Sequence, residues 1–360
     1  MDVYELLGGV KKPGCVVSGE EFCFAAVGLD HGHIDGMCAG LVEAGAKLLY
    51  VCDRDTKKAE ALAARYGASV KNSLDEICED KRVKMIASAA IPSERCELGC
   101  EVMRRGLDYF VDKAPFTTLG QLVTAEKTTS ETGQRYFVYY SERLHSECSV
   151  FAGYLIDEGF IGRVVNIIGT GPHTINAQSR PKWFFEREKY GGILCDIGSH
   201  QAEQFLYYAG CDRVRVDDSS IGNFRYSEYP ELDDFGDMHL TSANGVSGYH
   251  RVDWLSPSGL KTWGDGRCVI DGTHGYIEMR KNIDLTIGGG NIIYLVNDSG
   301  EYRVDVSGKI GAPFFGEMIL DCLERSERAM TQEHIFAAAR IALIAQKNAR
   351  DLTPDVKKRR

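Results

Sequence analysis

A chain of 360 residues exceeds what one ordinary hydrophobic core serves, so two domains are expected. Hydrophobic residues at 44% and charged residues at 26% describe a globular protein. The formal net charge of −10 comes without any basic stripe, which leaves no footprint for nucleic acid or an anionic membrane surface.

No apolar run is long enough to span a membrane. The first twenty residues carry Asp2 and Glu5 and are broken by Gly8, Gly9 and Pro13, which does not read as a signal peptide. The twelve cysteines are dispersed, and Cys23, Cys38, Cys52, Cys195 and Cys322 fall in apolar runs, where a free thiol behaves as a small hydrophobe. Cys96 and Cys100 would share a helix face, but no His or Cys pair completes a tetrahedral set, so core packing is expected and no metal. A reducing compartment, the cytoplasm, follows. The basic cluster Lys357, Lys358, Arg359 and Arg360 reads as a solvated tail.

From Phe22 the chain alternates short β-rich runs with helical patterns. Strands are predicted at 22–29, 47–53, 68–70, 83–89, 108–112 and 135–140, with helices at 33–44, 56–66, 74–78, 93–105 and 119–132. This alternation calls for a doubly wound parallel sheet with right-handed crossovers. After Tyr140 the rhythm changes. A helix at 145–157 precedes a strand at 164–170, an irregular aromatic and polar stretch, and a helix at 196–209. Strand-like runs separated by turn signals fill 219–306, reading as an open, mostly antiparallel or mixed sheet. A terminal helix is predicted at 331–349, with Thr331 as N-cap and a stripe through Ile335, Ala339, Ala342 and Leu343. The expected organisation is an N-terminal arm and α/β Rossmann domain over 1–140, then an α+β domain over 141–360 for substrate and oligomerisation.

The chemistry gathers at strand ends. The first strand ends at Gly28, in Ala-Val-Gly-Leu-Asp-His-Gly-His, directly before a helix. Glycine there lets the backbone turn sharply so that loop amides, over Leu29, His31, His33 and Ile34, approach a dinucleotide pyrophosphate. The usual glycine pattern is incomplete: Asp30 and His33 replace its second and third glycines. The Asp30 carboxylate is expected to point away from the phosphates, and Gly32 and Gly36 restore some freedom. His31 and His33 read as phosphate-loop donors, as plain loop residues, or as a metal fragment. The second strand ends at Asp53, placed to accept hydrogen bonds from ribose hydroxyls. Asp53 favours NAD, whereas Arg54 could pair with the 2′-phosphate of NADP.

Three further segments carry a family resemblance. Asp112-Lys113-Ala114-Pro115 follows the fifth strand. Gly191-Gly192-Ile193-Leu194-Cys195-Asp196-Ile197-Gly198-Ser199-His200 joins a glycine pair to an acid and a histidine. Ile91-Pro92-Ser93-Glu94-Arg95-Cys96 follows the fourth strand, after Ala90. With them, the chain from about Phe22 to Ala349 resembles the Gfo/Idh/MocA oxidoreductases, the glucose-fructose oxidoreductase and inositol dehydrogenase family. Glu-Lys-Pro is the family's usual form of the first motif, and a histidine is expected where Cys96 stands. Arg143 resembles an arginine that follows the sixth strand in many members.

The resemblance implies NAD or NADP as cofactor, with Ala90, Ile91, Pro92, Asp112, Lys113 and Arg143 joining the glycine-loop residues around it. It also implies Lys113, Asp196 and His200 as the catalytic set, converging over the nicotinamide. His200 is then the general base, with Lys113 as an alternative, and Asp196 orients His200 or a substrate hydroxyl. The expected reaction is hydride transfer at a CH–OH group of a sugar, inositol or related polyol. An NAD-dependent glycosidase or eliminase using transient internal redox is the nearest alternative, and a non-catalytic sugar or dinucleotide sensor is a third reading. His173, Asn176 and Trp183 are candidate substrate contacts. Trp254, Trp263 and Arg251 read as packing or interface residues, and Gly272-Thr273-His274-Gly275 as a strand turn. An exposed apolar sheet face would drive assembly into a homodimer or homotetramer.

Overall fold

The computed structural model describes residues 2–354; the basic run at 357–360 lies outside them. The chain divides into two compact units. One comprises Pro13–Tyr139 with Ala312–Phe336; the other comprises the residues up to Lys12, Tyr140–Gly311, and the chain from Ala337 on. This departs from a single cut after residue 140. The arm up to Lys12 groups with the second unit, and Ala312–Phe336 returns to the first.

The first element, missed by the sequence reading, is helix α1 (Val3–Gly9). Gly8 and Gly9 lower its propensity, but a capping box offsets them. Asp2 accepts from the Tyr4 amide and Glu5 accepts from the Asp2 amide, each at 3.0 Å. The Tyr4 hydroxyl then donates to the Arg303 carbonyl at 3.1 Å, holding the arm within its unit.

In the first unit, β1 (Cys23–Val27), α2 (His33–Glu43), β2 (Lys47–Cys52), α3 (Thr56–Tyr66), β3 (Ser69–Val70), α4 (Leu74–Cys78), β4 (Val83–Ser88), α5 (Arg95–Arg104), β5 (Asp108–Asp112), α6 (Leu119–Thr132) and β6 (Tyr136–Tyr139) alternate as expected. All strand pairs are parallel, in the order β3-β2-β1-β4-β5-β6. This is the dinucleotide-binding order, and the chain reverses direction across the sheet between β1 and β4. β1, β5 and β6 are buried at every position, as strands covered on both faces must be.

The second unit begins with the short α7 (Ser141–Leu144), which the sequence did not indicate, and α8 (Glu147–Asp157), which corresponds to the helix expected at 145–157. After β7 (Val164–Pro172) come α9 (Arg187–Tyr190), α10 (Ile193–Asp196) and α11 (Gly198–Ala209). Strands β8 (Val214–Gly222), β9 (Phe235–Ser242), β10 (Ser247–Asp253), β11 (Arg267–Gly272), β12 (Gly275–Arg280), β13 (Ile292–Asn297) and β14 (Gly300–Asp305) follow. With β15 (Arg350–Asp351) they form a nine-stranded sheet, β14-β13-β12-β11-β7-β10-β9-β8-β15. Only β7–β10 and β8–β15 are parallel; the other pairs are antiparallel. Gly272–Gly275 is the expected hairpin turn between β11 and β12. Helix α12 (Pro313–Glu324) belongs to the first unit, and α13 (Gln332–Asn348) crosses the division. Its N-cap is Thr331, whose hydroxyl accepts from the His334 amide at 3.1 Å.

Candidate functional site

The carboxyl edge of the parallel sheet positions the first group of residues. The Ala89 amide donates to the Gly28 carbonyl and the His31 amide to the Ala89 carbonyl, both at 2.9 Å, joining the loops after β1 and β4. Gly28 has φ +74°, and a Cβ there would stand 2.8 Å from the Ala90 Cβ. Only glycine suits that conformation and that approach.

Beside it opens a cleft of about 510 Å³, lined by Gly28, Ala90 and the acids Asp30, Asp53, Glu94, Glu97 and Glu101, with Arg54 as its cation. Asp53 accepts from the Leu29 amide at 2.5 Å and the Asp55 amide at 2.7 Å, so its carboxylate fixes the loop it serves. Arg54 forms an ion pair with Glu94. Burial, reinforced by Asp53, pushes the Asp30 carboxyl above its ordinary range. Asp30 is among the residues that border the cleft. Leu29, Ile34, Ala90 and Pro92 are buried supports of the same edge.

At the end of β5, Asp112 is fully buried. His33 Nδ1 lies 2.8 Å and His31 Nδ1 3.0 Å from its two oxygens. These three side chains are the metal-capable group among the described residues. The Arg95 guanidinium, 3.2 Å from Asp112, already balances that carboxylate, so the arrangement is read as two imidazoles oriented by one acid. Burial lifts the Asp112 carboxyl, but His33, Arg95 and His31 outweigh it and hold it well below the usual range. Burial and the neighbouring His33 bring His31 down to about 4.

The sequence motif singles out Cys96, but its neighbour Arg95 carries the structural role. Its side chain is 1% exposed and donates to the carbonyls of Ala90 (2.6 Å), Asp112 and Ala114 (3.0 Å each). It thereby clamps the backbone on both sides of Lys113, itself 6% exposed.

In the second unit Asp196 ends α10 and His200 lies in the first turn of α11; both are buried. The preceding Gly192 has φ +93°, and a Cβ there would overlap the Gln346 side chain. Gln346 uses that space to accept from the Leu194 amide at 2.8 Å.

Beneath His200 lies a polar hub that the sequence reading missed. Glu142 accepts from Gln201 Nε2 at 2.8 Å and from Lys281 Nζ at 3.2 Å, and Lys281 also donates to Gln204. Burial raises the Glu142 carboxyl, but Lys281, His200 and His173 bring it down to about 2. Glu142 and Lys281 are 139 residues apart, so no local pattern announces the pair.

Arg143 is committed elsewhere. It pairs with Glu203 and stacks over Tyr207 at 3.9 Å, inside the second unit. His173 lies between Trp254 and Trp263, with ring centroids 5.4 and 4.4 Å away. Both tryptophans thus pack against the His173 ring, and Trp254 is buried. Arg251, on the sheet, pairs with Asp253. Trp183 meets Phe184 edge-on, and Asn176 occupies an exposed left-handed turn. All twelve cysteines are free. No helix among the described residues is long and apolar enough to cross a membrane.

Comparison with known proteins gives concordant matches. Residues 28–140 match the family model described as oxidoreductase family, NAD-binding Rossmann fold, and residues 152–278 match the GFO/IDH/MocA C-terminal domain. A solved structure from Erwinia carotovora atroseptica SCRI1043 is 43% identical, covers 92% of this chain and all of its own, and superposes with a TM-score of 0.89. A levoglucosan dehydrogenase solved with NADH shares the fold at 17% identity and a TM-score of 0.71, covering 91% of this chain and 98% of that one. The D-xylose dehydrogenase of Paenarthrobacter nicotinovorans is 27% identical over 153 residues, 41% of this chain. The match spans only 39% of that curated relative.

Proposed function

Because the chain belongs to the Gfo/Idh/MocA oxidoreductase family, whose N-terminal domain is an NAD-binding Rossmann fold, we propose that it is a dehydrogenase moving hydride between nicotinamide and a secondary alcohol of a sugar, inositol or related polyol. One observation carries the cofactor half of this reading. The β1/β4 crevice has a glycine where a Cβ would collide, loop amides at the start of α2, and an acid at the end of β2. Gly28 and the α2 amides would hold the pyrophosphate, and Asp53 the adenosine ribose. The acids lining the cleft oppose a 2′-phosphate, and Arg54 is already engaged by Glu94, so NAD is preferred over NADP.

Nicotinamide supplies the two-electron acceptor for the hydride. Lys113, whose backbone Arg95 holds, stabilises negative charge growing on the alcohol oxygen. His200 takes the hydroxyl proton, and Asp196 orients it or a neighbouring substrate hydroxyl. The names of the sugar-oxidising relatives support this substrate class. Self-association through the open face of the nine-stranded sheet, where Val165, Ile168 and Tyr276 are exposed, and residence in the cytoplasm complete the reading.

The test is a panel of sugars, inositols and polyols with NAD and NADP, read by reduced-nicotinamide absorbance. Net reduction, stronger with NAD, is expected. Absence of net reduction across the panel sinks the dehydrogenase, and product without net reduction assigns internal redox instead.

A further inference from the structure

The loop between β7 and α9 carries a cation that the proposed reaction does not use. Arg180 is half-buried, with its guanidinium carbon 4.5 Å from the centre of the Phe184 ring and 5.1 Å from that of Trp254. Its Nε donates to the Ile175 carbonyl at 2.9 Å. Among the described residues that is the only acceptor it meets, so the two terminal nitrogens present an unfilled fork. The Trp254 side chain tells the same story independently: the residue is 2% exposed, and its indole N–H has no hydrogen-bond partner. A buried donor left unmatched costs about 1–3 kcal/mol. The Trp254 indole is one such donor, and the half-buried Arg180 fork beside it adds further donors without a protein acceptor among the described residues; together they call for a ligand rich in acceptors.

We propose that Arg180 and Trp254 form a carboxylate subsite, so that the preferred substrate is a sugar acid, a uronate or an aldonate, and not a neutral sugar. This rests on the dehydrogenase reading and narrows its substrate class. A planar guanidinium fork matches a carboxylate through two parallel hydrogen bonds. Stacking on two rings fixes the plane of the fork in advance, which lowers the ordering cost of that contact. Charge selects the carboxylate over a phosphate ester. Arg180 is one cation, already in the field of Asp196, and it can balance a monoanion better than a dianion. His173, edge-on to Trp254, places the subsite beside the Glu142 hub.

The experiment measures binding without requiring turnover. Quenching of tryptophan fluorescence in the full-length protein, with NAD present, gives Kd for matched pairs: D-glucose and D-glucuronate, D-galactose and D-galacturonate, D-glucitol and D-gluconate, with D-glucose 6-phosphate as a further arm. At least one acid should bind tenfold or more tightly than its neutral partner and more tightly than the phosphate. Arg180→Gln should erase that preference, and Arg180→Lys, keeping the charge but losing the fork, should retain only part of it. Unchanged NAD affinity checks that the variants are folded. No acid preference anywhere in the panel, a preference that survives Arg180→Gln, or tighter binding of the phosphate would overturn the subsite. Acid-selective binding without any redox turnover would sink the dehydrogenase reading and leave the subsite standing.

Discussion

Asp53 meets two backbone amides before any ribose reaches it, and this shapes what its loss should do. Asp53→Ala removes both a ribose acceptor and the tie to Leu29, so NAD affinity should fall by about 1–3 kcal/mol, the range of charge-assisted hydrogen bonds. Calorimetric titration with NAD checks it, and unchanged affinity removes the ribose role. Lys113→Ala and His200→Ala should each lower kcat by about 10²–10⁴-fold, the range expected of a positioned proton-transfer group, while NAD affinity stays nearly constant. Wild-type turnover in both variants would end their assignment. Arg95 differs because it touches carbonyls and a buried carboxylate. Arg95→Met strands Asp112 without its cation and should destabilise the first unit by about 3–5 kcal/mol in urea unfolding. A loss under 1 kcal/mol would show that the clamp is dispensable.

At the scale of elements, the first strand, its turn and the following helix act as one device. Gly28→Ala meets both a disfavoured φ and the Ala90 Cβ, so it should reduce thermal stability and abolish NAD binding; an alanine variant that binds NAD normally would show that the two loops yield. This device was legible because its parts are consecutive: apolar β run, glycine, helix, then an acid some 25 residues on. The whole parallel sheet was legible for the same reason, each strand being followed by the helix that covers it. The second unit was less so. Its central strand β7 pairs in parallel with β10, whose Ser247 sits opposite Asn166, and no local pattern specifies such a partner. The candidate site divides in the same way. Lys113, Asp196 and His200 stand in recognisable strings, whereas Arg95, Glu142, Lys281 and Arg180 act through partners distant in sequence. A buried charge inside an apolar helix face, as Arg95 is on α5, was the one signal available and it was passed over.

The whole molecule should respond to acid through groups whose protonation is suppressed by folding. Burial and the nearby His33 bring His31 to about 4, and burial with Lys281 brings His250 to about 3, from an ordinary 6.5. Between pH 6.5 and those values the unfolded chain binds more protons than the native one. Stability therefore rises with pH across that window and falls as acid is added. At about 1.4 kcal/mol per unit, complete titration of His31 alone corresponds to about 3–4 kcal/mol. Glu142 acts lower: its stabilisation is present above 4.5 and is lost as pH falls toward 2, where its carboxylate protonates beside Lys281. Each unit thus carries a histidine that opposes acid, and only the second carries the buried Glu142–Lys281 pair. Urea unfolding at pH 7, 5.5 and 4.5 should show a progressive loss of stability. His31→Asn and His250→Asn should each flatten the slope above pH 4.5, and neither should remove the further loss below it. A stability profile flat from pH 7 to 5 would mean that both imidazoles take up protons in the native state, and that the carboxylate-oriented pair at Asp112 is solvated enough to charge.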